Sequence, residues 1–305
     1  MRLLFAGTPD VAVPTLDALI DAGHDIVGVI TRPDAPTGRG RRLTASPVAS
    51  RATELGLSVH KPASARTPEF ADLVRELAPD CCPVVAYGAI LPASVLDLPR
   101  HGWVNLHFSL LPRWRGAAPV QRALMAGDET GGVTTFEIVR ELDAGPIYLR
   151  EQTDYPVNAT AGDTLGRLAE SGAQTMVRTL QLIADGVRPT PQSDDGMTLA
   201  AKVEVADARL DFTDSAWTLH NLVRGTSPDP GAWALYRDAR LKVLVTRIVD
   251  GPELAPGELL VEKRRVLVGT GEGSLDLVTV QPQGKKAMGG ADWGRGGVQS
   301  GEVLS

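Results

Sequence analysis

The sequence predicts an α/β protein: a mostly parallel sheet with helices on both faces, followed by a smaller β domain. Three observations lead there. Over roughly the first 190 residues, short apolar runs alternate with stretches of helical spacing, as crossover helices feeding a parallel sheet require. Beyond residue 230 the chain turns to short strands punctuated by Gly and Pro, which suits a small barrel. Finally, 305 residues that are 43% hydrophobic and 22% charged can bury two cores.

The elements follow in order. RLLFAGT (2–8) is a short apolar strand ending in a turn. A helix carries Leu16, Leu19 and Ile20, with Pro14 in its first turn and Gly23 at its end. Residues 25–30 form the next strand, and 31–47 a polar Gly/Pro-rich loop. Residues 48–57 are helical, 57–59 extended and 68–78 helical, before the strand CCPVVAY (81–87). Pro83 sits awkwardly there, because proline cannot donate to a ladder. A strand, a Pro/Arg-rich loop and a helix occupy 101–127. Strands at 132–139 and 147–155 flank the loop VRELDAGP, and 163–185 has helical apolar spacing. VRPTPQSDDGMTL, from 187, has linker composition. One more helix (214–224) precedes the strands GAWALYR, ARLKVLVTRIV, GELLVE, RVLVGTG and SLDLVTVQP. The Gly-rich stretch from Gly289 predicts a poorly ordered tail. The expected division is a domain at 1–188, a linker at 189–206 and a second domain at 207–305.

Composition excludes several classes. No run approaches the ~20 apolar residues of a membrane span, and the N-terminal apolar stretch is too short for a signal-peptide core. Two adjacent cysteines, Cys81 and Cys82, make no disulfide scaffold and no Cys-rich zinc site. A cytoplasmic monomer without a membrane partner is expected. The net charge of −6 excludes a uniformly basic nucleic-acid coat, so an anionic partner must be met by local clusters. Those clusters are Arg39-Gly40-Arg41-Arg42, Arg113-Trp114-Arg115, Lys263-Arg264-Arg265 and Lys285-Lys286. Each alone also reads as an ordinary solvated charge group. Four of them in an acidic chain, with Trp114 able to stack on a base, favour an anionic polymer.

Asn105 and His107 are the residues best placed for chemistry. In a strand WVNLH, positions i and i+2 share a face, while Val104 and Leu106 turn the other way. The strand ends at once in a loop, and carboxyl ends of parallel strands are where ligand crevices form. An imidazole can take a proton, and an Asn amide can donate to a developing oxyanion. Asp143, in the turn ELDAGP, can orient such a histidine. Strand-end polar groups bonding to local backbone, and an ordinary turn aspartate, are the plain alternatives. No cluster has metal-ligand spacing, so no metal is expected. The first turn, AGTPD, lacks the G-x-G-x-x-G fingerprint, which counts against a dinucleotide-dependent oxidoreductase.

Longer matches go further. NLHFSLLPRWRGAAPVQRAL (105–124) strongly resembles the signature of the folate-dependent formyltransferases. So do FAGTPD (5–10), TRPDAPTGRGRRLTASPV (31–48), VVAYGAILP (84–92) and ELDAGPIY (141–148). AKVEVADARLDF (201–212), PGAW (230–233) and QPQGKKAM (281–288) extend the resemblance through the second domain, toward members acting on an aminoacylated tRNA. It implies a Rossmann-like first domain and a C-terminal barrel resembling an OB-fold. It implies 10-formyltetrahydrofolate as donor and the α-amino group of methionyl initiator tRNA as acceptor. Asn105, His107 and Asp143 match the family's catalytic trio. Ser109, Leu110, Leu111 and Pro112, with Tyr87 and Ile90, match its folate-contacting segments. Arg39, Arg41, Arg42, Lys202, Lys285 and Lys286 fall in its tRNA-facing segments. Phe108 replaces a smaller residue, Thr226-Ser227-Pro228 replaces an Asn-Pro pattern, and the Gly-rich end matches weakly. Two rival functions remain: a formyltransferase for a sugar nucleotide or other small amine, and an RNA-binding protein with a decayed enzyme domain.

Overall fold

A computed structural model describes residues 1–37 and 42–305. The chain forms two compact units. One comprises residues 1–116, 132–153 and 165–199, the other 117–131, 154–164 and 200–305. This packing differs from the single cut that composition suggests. The stretch with linker composition belongs to the first unit as far as Leu199, and two earlier segments belong with the C-terminal residues. Neither assignment shows in composition, because both depend on long-range packing.

The first sheet uses strands β1 (Arg2–Gly7), β2 (Asp25–Ile30), β3 (Val59–His60), β4 (Cys82–Val85), β5 (Trp103–His107), β6 (Thr130–Glu137) and β7 (Ile147–Asp154). Their spatial order is β7-β6-β5-β4-β1-β2-β3. Five strands run parallel and β6 pairs antiparallel with β5. Helices α1 (Val13–Asp21), α2 (Pro47–Glu54), α3 (Pro68–Leu77) and α4 (Ala93–Leu96) accompany the early strands, and α6 (Ala161–Ala184) the late ones. Local chemistry sets their starts. Ser46 accepts the Ala49 N–H at 3.0 Å and Pro47 opens α2, an N-cap followed by proline at the first helical position.

Pro83 does lie in a central strand. The β1–β4 ladder accommodates it: Leu3 bridges Cys81, and pairing resumes only at Ala6 with Val84. On the other side Cys82 donates to Gly102 at 3.0 Å. The proline thus falls in a gap of the ladder, where its missing N–H breaks no rung.

Alternation along β5 sorts its two faces. Trp103 packs with Leu4, Phe70, Val74 and Val95, and its indole N–H donates to the Val95 carbonyl at 2.8 Å. Leu106 faces α6, where a Cβ on Gly172 would lie 2.8 Å from the Leu106 side chain. Glycine there lets the helix close onto the sheet.

In the second unit, α5 (Pro119–Met125) and α7 (Ala216–Thr226) accompany strands β8 (Ala232–Tyr236), β9 (Ala239–Val249), β10 (Leu259–Val261), β11 (Val266–Gly269) and β12 (Ser274–Pro282). The antiparallel order is β8-β9-β12-β11-β10. Thr226 and Ser227, the divergent residues before the PGAW motif, are buried and donate to the carbonyls of Leu222 and Leu244.

The expectation of a loose tail is overturned. Residues 290–295 form α8, and Trp293, Val298 and Leu304 enter the core of this unit. The last residues bond on both sides. Leu259 N–H donates to Glu302 O and Leu304 N–H to Gly257 O, while Leu235 and Ser305 exchange two bonds of 2.6 and 3.0 Å. The tail therefore joins the β10 edge to the β8 edge and leaves neither open there. Few apolar residues are needed, because each is placed at a seam. The glycines serve close approach: a Cβ on Gly290 would lie 1.7 Å from the Leu277 carbonyl.

Candidate active site

β5 delivers Asn105 and His107 to one face at its carboxyl end. His107 is buried, at 5% exposure, and Asn105 is half-buried. The His107 ring meets Phe136 edge-on, with centroids 6.3 Å apart. Its Nε2 lies 2.9 Å from the Trp114 carbonyl. A carbonyl only accepts, so Nε2 carries the proton and Nδ1 keeps the lone pair in the neutral ring. Nδ1 is 3.8 Å from Asp143 Oδ2. The acceptor that fixes the ring is thus a backbone carbonyl, while the carboxylate stands just beyond hydrogen-bond distance. If Nδ1 takes a proton, the imidazolium gains a carboxylate beside its new N–H.

Asp143 is itself held. Its Oδ2 accepts the Gly116 N–H at 2.8 Å, and its backbone sits at φ +48°, the left-handed region that short polar side chains tolerate best. Asn105 differs: among the described residues nothing bonds its side-chain amide, which leaves both donors available to a ligand.

The loop after β5 is braced by β6. The Thr134 hydroxyl donates to the Ser109 carbonyl at 2.6 Å and accepts the Leu111 N–H at 3.1 Å. The Ser109 hydroxyl donates to the Arg113 carbonyl at 2.7 Å. Phe108 is buried and therefore does not project as an obstruction. Leu111 packs with Phe136 and Ile147, and Tyr87 lies in the core with Trp103. Their side chains support the segment, so the surface they offer a ligand is mainly backbone. Leu110 and Pro112 are half-buried, and Ile90 is 71% exposed.

Both cysteines are buried. Burial pushes the Cys81 thiol up to about 12 and Cys82 well above its ordinary value. Neither is a nucleophile at neutral pH. Among the described residues no group of His, Cys, Asp or Glu is arranged to hold a metal ion.

Arg39 and Arg41 lie outside the described residues. Arg42 is exposed on a hairpin of Ala35–Thr37 and Arg42–Thr44, next to Leu43 at 67% exposure. Lys202, Lys285 and Lys286 are exposed, and Lys202 lies 3.6 Å from Glu204. Arg115 overturns an expectation: it is 8% exposed and donates to Gln192 Oε1 at 2.8 and 3.2 Å, so it is an internal brace and not a contact for a polymer.

Sequence reasoning also missed a groove of about 530 Å³ in the second unit. Arg240, Lys242, Gln281 and Gln283 line it, so β9 joins the QPQGKKAM segment here. Lys242 donates to the Pro230 carbonyl of the PGAW segment, and the Trp233 ring lies under Arg240 and Arg209, 4.2 and 5.6 Å from its centroid. Pairing between distant strands creates this patch, so no local motif signals it.

Comparison with known proteins fits these features. Residues 1–180 match the formyl transferase family, and residues 202–297 match the formyl transferase C-terminal domain. The chain belongs to the formyltransferase family. It is 56% identical to methionyl-tRNA formyltransferase of Thermobifida fusca over 298 residues, 97% of this chain and 96% of that protein. The Saccharopolyspora erythraea enzyme of that name is 56% identical over 308 residues, covering both chains fully. Among solved structures, HypX from Aquifex aeolicus with tetrahydrofolic acid superposes at a TM-score of 0.70 and 17% identity. That match covers 96% of this chain and 46% of the other, so this formyltransferase spans about half the HypX length. An N-formyltransferase from Helicobacter canadensis, solved with folinic acid and dTDP-3-aminofucose, gives 0.68 at 15% identity, covering 92% and 99%. At such identities the likeness establishes the shared fold.

Proposed function

We infer that this chain transfers the formyl group of 10-formyltetrahydrofolate to the α-amino group of methionyl initiator tRNA. The observation that carries the inference is the end-to-end identity above 50% with methionyl-tRNA formyltransferases. The two-nitrogen environment of His107 supports the chemistry.

The uncharged amine adds to the formyl carbon, and negative charge grows on the formyl oxygen. Asn105 donates to that oxygen, through the amide that no other described residue holds. His107 takes the amine proton on Nδ1 and delivers it to the departing folate nitrogen. Asp143 stabilises the ring while it is charged, and the Trp114 carbonyl keeps it from turning. No covalent enzyme intermediate is formed. The donor rests against the Ser109–Pro112 loop, with Tyr87 and Ile90 contributing from the segment after β4. Leu110, Pro112 and Ile90 offer side-chain surface, while Ser109, Leu111 and Tyr87 offer backbone.

Arg39, Arg41, Arg42, Lys202, Lys285 and Lys286 contact tRNA phosphates, joined by Arg240 and Lys242 in the groove. Stacking on Trp233 or Trp114 adds a contact that tolerates any base. The enzyme acts as a monomer in the cytoplasm, a compartment supported by its two unpaired buried thiols and its substrate class. The test supplies 10-formyltetrahydrofolate with methionyl initiator tRNA, free methionine and a 4-amino sugar nucleotide in parallel. Product on the tRNA alone is expected. Product on the sugar nucleotide alone would keep the trio's chemistry and overturn the acceptor.

A further inference from the structure

We propose that Gln192 is a positioning residue for formyl transfer: through its side-chain amide it fixes the turn that carries Asp143, and so sets the carboxylate's distance from His107. The proposal rests on the reading of the trio given above.

Gln192 lies in the Pro- and Asp-rich stretch whose composition suggested a linker. In the structure that stretch is tied to the active-site loops at three points. Thr190 and Ile147 exchange two backbone bonds of 2.7 and 2.8 Å, which sets the stretch beside the start of β7. The Thr198 hydroxyl accepts the Trp114 N–H at 2.8 Å, and its carbonyl accepts the Arg115 N–H at 2.9 Å. Between them, Gln192 Nε2 donates to the carbonyls of Asp143 and Gly145, at 2.9 and 2.7 Å. Its Oε1 accepts both bonds from the buried Arg115 guanidinium. Every donor and acceptor position of the amide is in use, so its orientation is determined.

The turn needs this support. Glu141 and Leu142 are exposed, and Asp143 holds a left-handed backbone that even an aspartate enters at some cost. Among the described residues the carboxylate has one backbone donor, Gly116, next to Arg115. Arg115–Gly116 and Gln192 therefore grip Asp143 from both ends, one by its carboxylate and the other by its carbonyl. Misplacing a catalytic group by about 1 Å can cost on the order of 10²-fold in rate, and the Asp143–His107 separation of 3.8 Å leaves little room for drift.

The test compares wild type, Gln192→Glu and Gln192→Ala, each with and without Asp143→Ala. Gln192→Glu keeps an acceptor for Arg115, and so the packing, but faces the two turn carbonyls with oxygens. We expect both single variants to lower kcat at least tenfold, with KM for folate and for methionyl-tRNA moving less than threefold. In the Asp143→Ala background the same changes should alter kcat by less than twofold, because the residue acts through Asp143. A purely structural role would give losses that multiply across the two positions and would lower Tm in step. Wild-type kcat in Gln192→Glu, or fully multiplicative losses, would overturn the proposal. A wild-type chain that fails to formylate methionyl-tRNA would instead overturn the functional reading beneath it.

Discussion

The trio and the exposed cations are built in opposite ways. Around His107, Ser109, Trp114 and Asp143 nearly every polar group has a named partner, and the ring itself is 5% exposed. Lys202, Lys285, Lys286 and Arg42 stand in solvent, and Lys202 has only a loose surface ion pair. Proton transfer and oxyanion stabilisation need groups placed to within a fraction of an ångström before the substrate arrives. Phosphate attraction is long-ranged, falls with salt, and tolerates mobile side chains. The first demand selects buried, braced positions; the second selects exposed ones.

The largest effect should come from the ring. His107→Ala is expected to lower turnover about 10²–10⁴-fold while leaving tRNA affinity at fixed salt within twofold, as single-turnover rates and filter binding would report. Comparable losses in both would erase the distinction between the two regions. Next comes Asn105→Ala, with a loss of about 10²–10³-fold confined to kcat. A rise in KM with kcat unchanged would move Asn105 from the reacting oxygen to general substrate binding.

A third test probes the closure of the second unit. Leu304 is 2% exposed within the tail that joins the two edge strands. Leu304→Ala should cost about 2–5 kcal/mol in urea unfolding. A cost near zero would mean that the last residues decorate the sheet without completing it.

Smaller effects belong to the exposed cations. Lys285→Ala and Lys286→Ala should each make the log–log salt dependence of tRNA binding shallower by about one unit. An unchanged slope would remove them from the interface.

The smallest is a pH effect. Glu302 accepts from the Tyr236 hydroxyl and the Gln299 N–H at 2.7 and 2.8 Å and pairs with Arg237, which holds its carboxyl down at about 2, below its ordinary 4.5. A depressed acid stabilises the fold fully above its unfolded value, and that contribution is lost as pH falls from about 4.5 through about 2. Glu302→Gln should flatten acid unfolding of the second unit in that window. A variant that unfolds with the wild-type acid midpoint would show that the cluster adds nothing measurable.

Strand and helix order in the first unit was legible because periodicity reports burial directly. Leu16 and Leu19, chosen by helical spacing, are fully buried, as are Leu3, Leu4 and Phe5 of the first strand. Asn105 and His107 were legible for the same reason, since a period of two places them on one face. Arg115 and the tail misled for a common reason. Composition cannot tell a solvated arginine from one seated on Gln192, nor a loose Gly-rich tail from one whose Trp293 and Leu304 fill a core.

Which elements form, which residues of β5 share a face, and the formyltransferase family of the chain could all be read from the residues in order. These depend on local periodicity and on contiguous motifs. Folding was needed to show that the Trp114 carbonyl fixes the His107 ring, that Gln192 reaches the Asp143 turn, and that the final residues join two strand edges. Each of those contacts links backbone or amide groups that are distant in sequence. Such groups are the same in almost every residue, so no side-chain pattern announces which of them will meet.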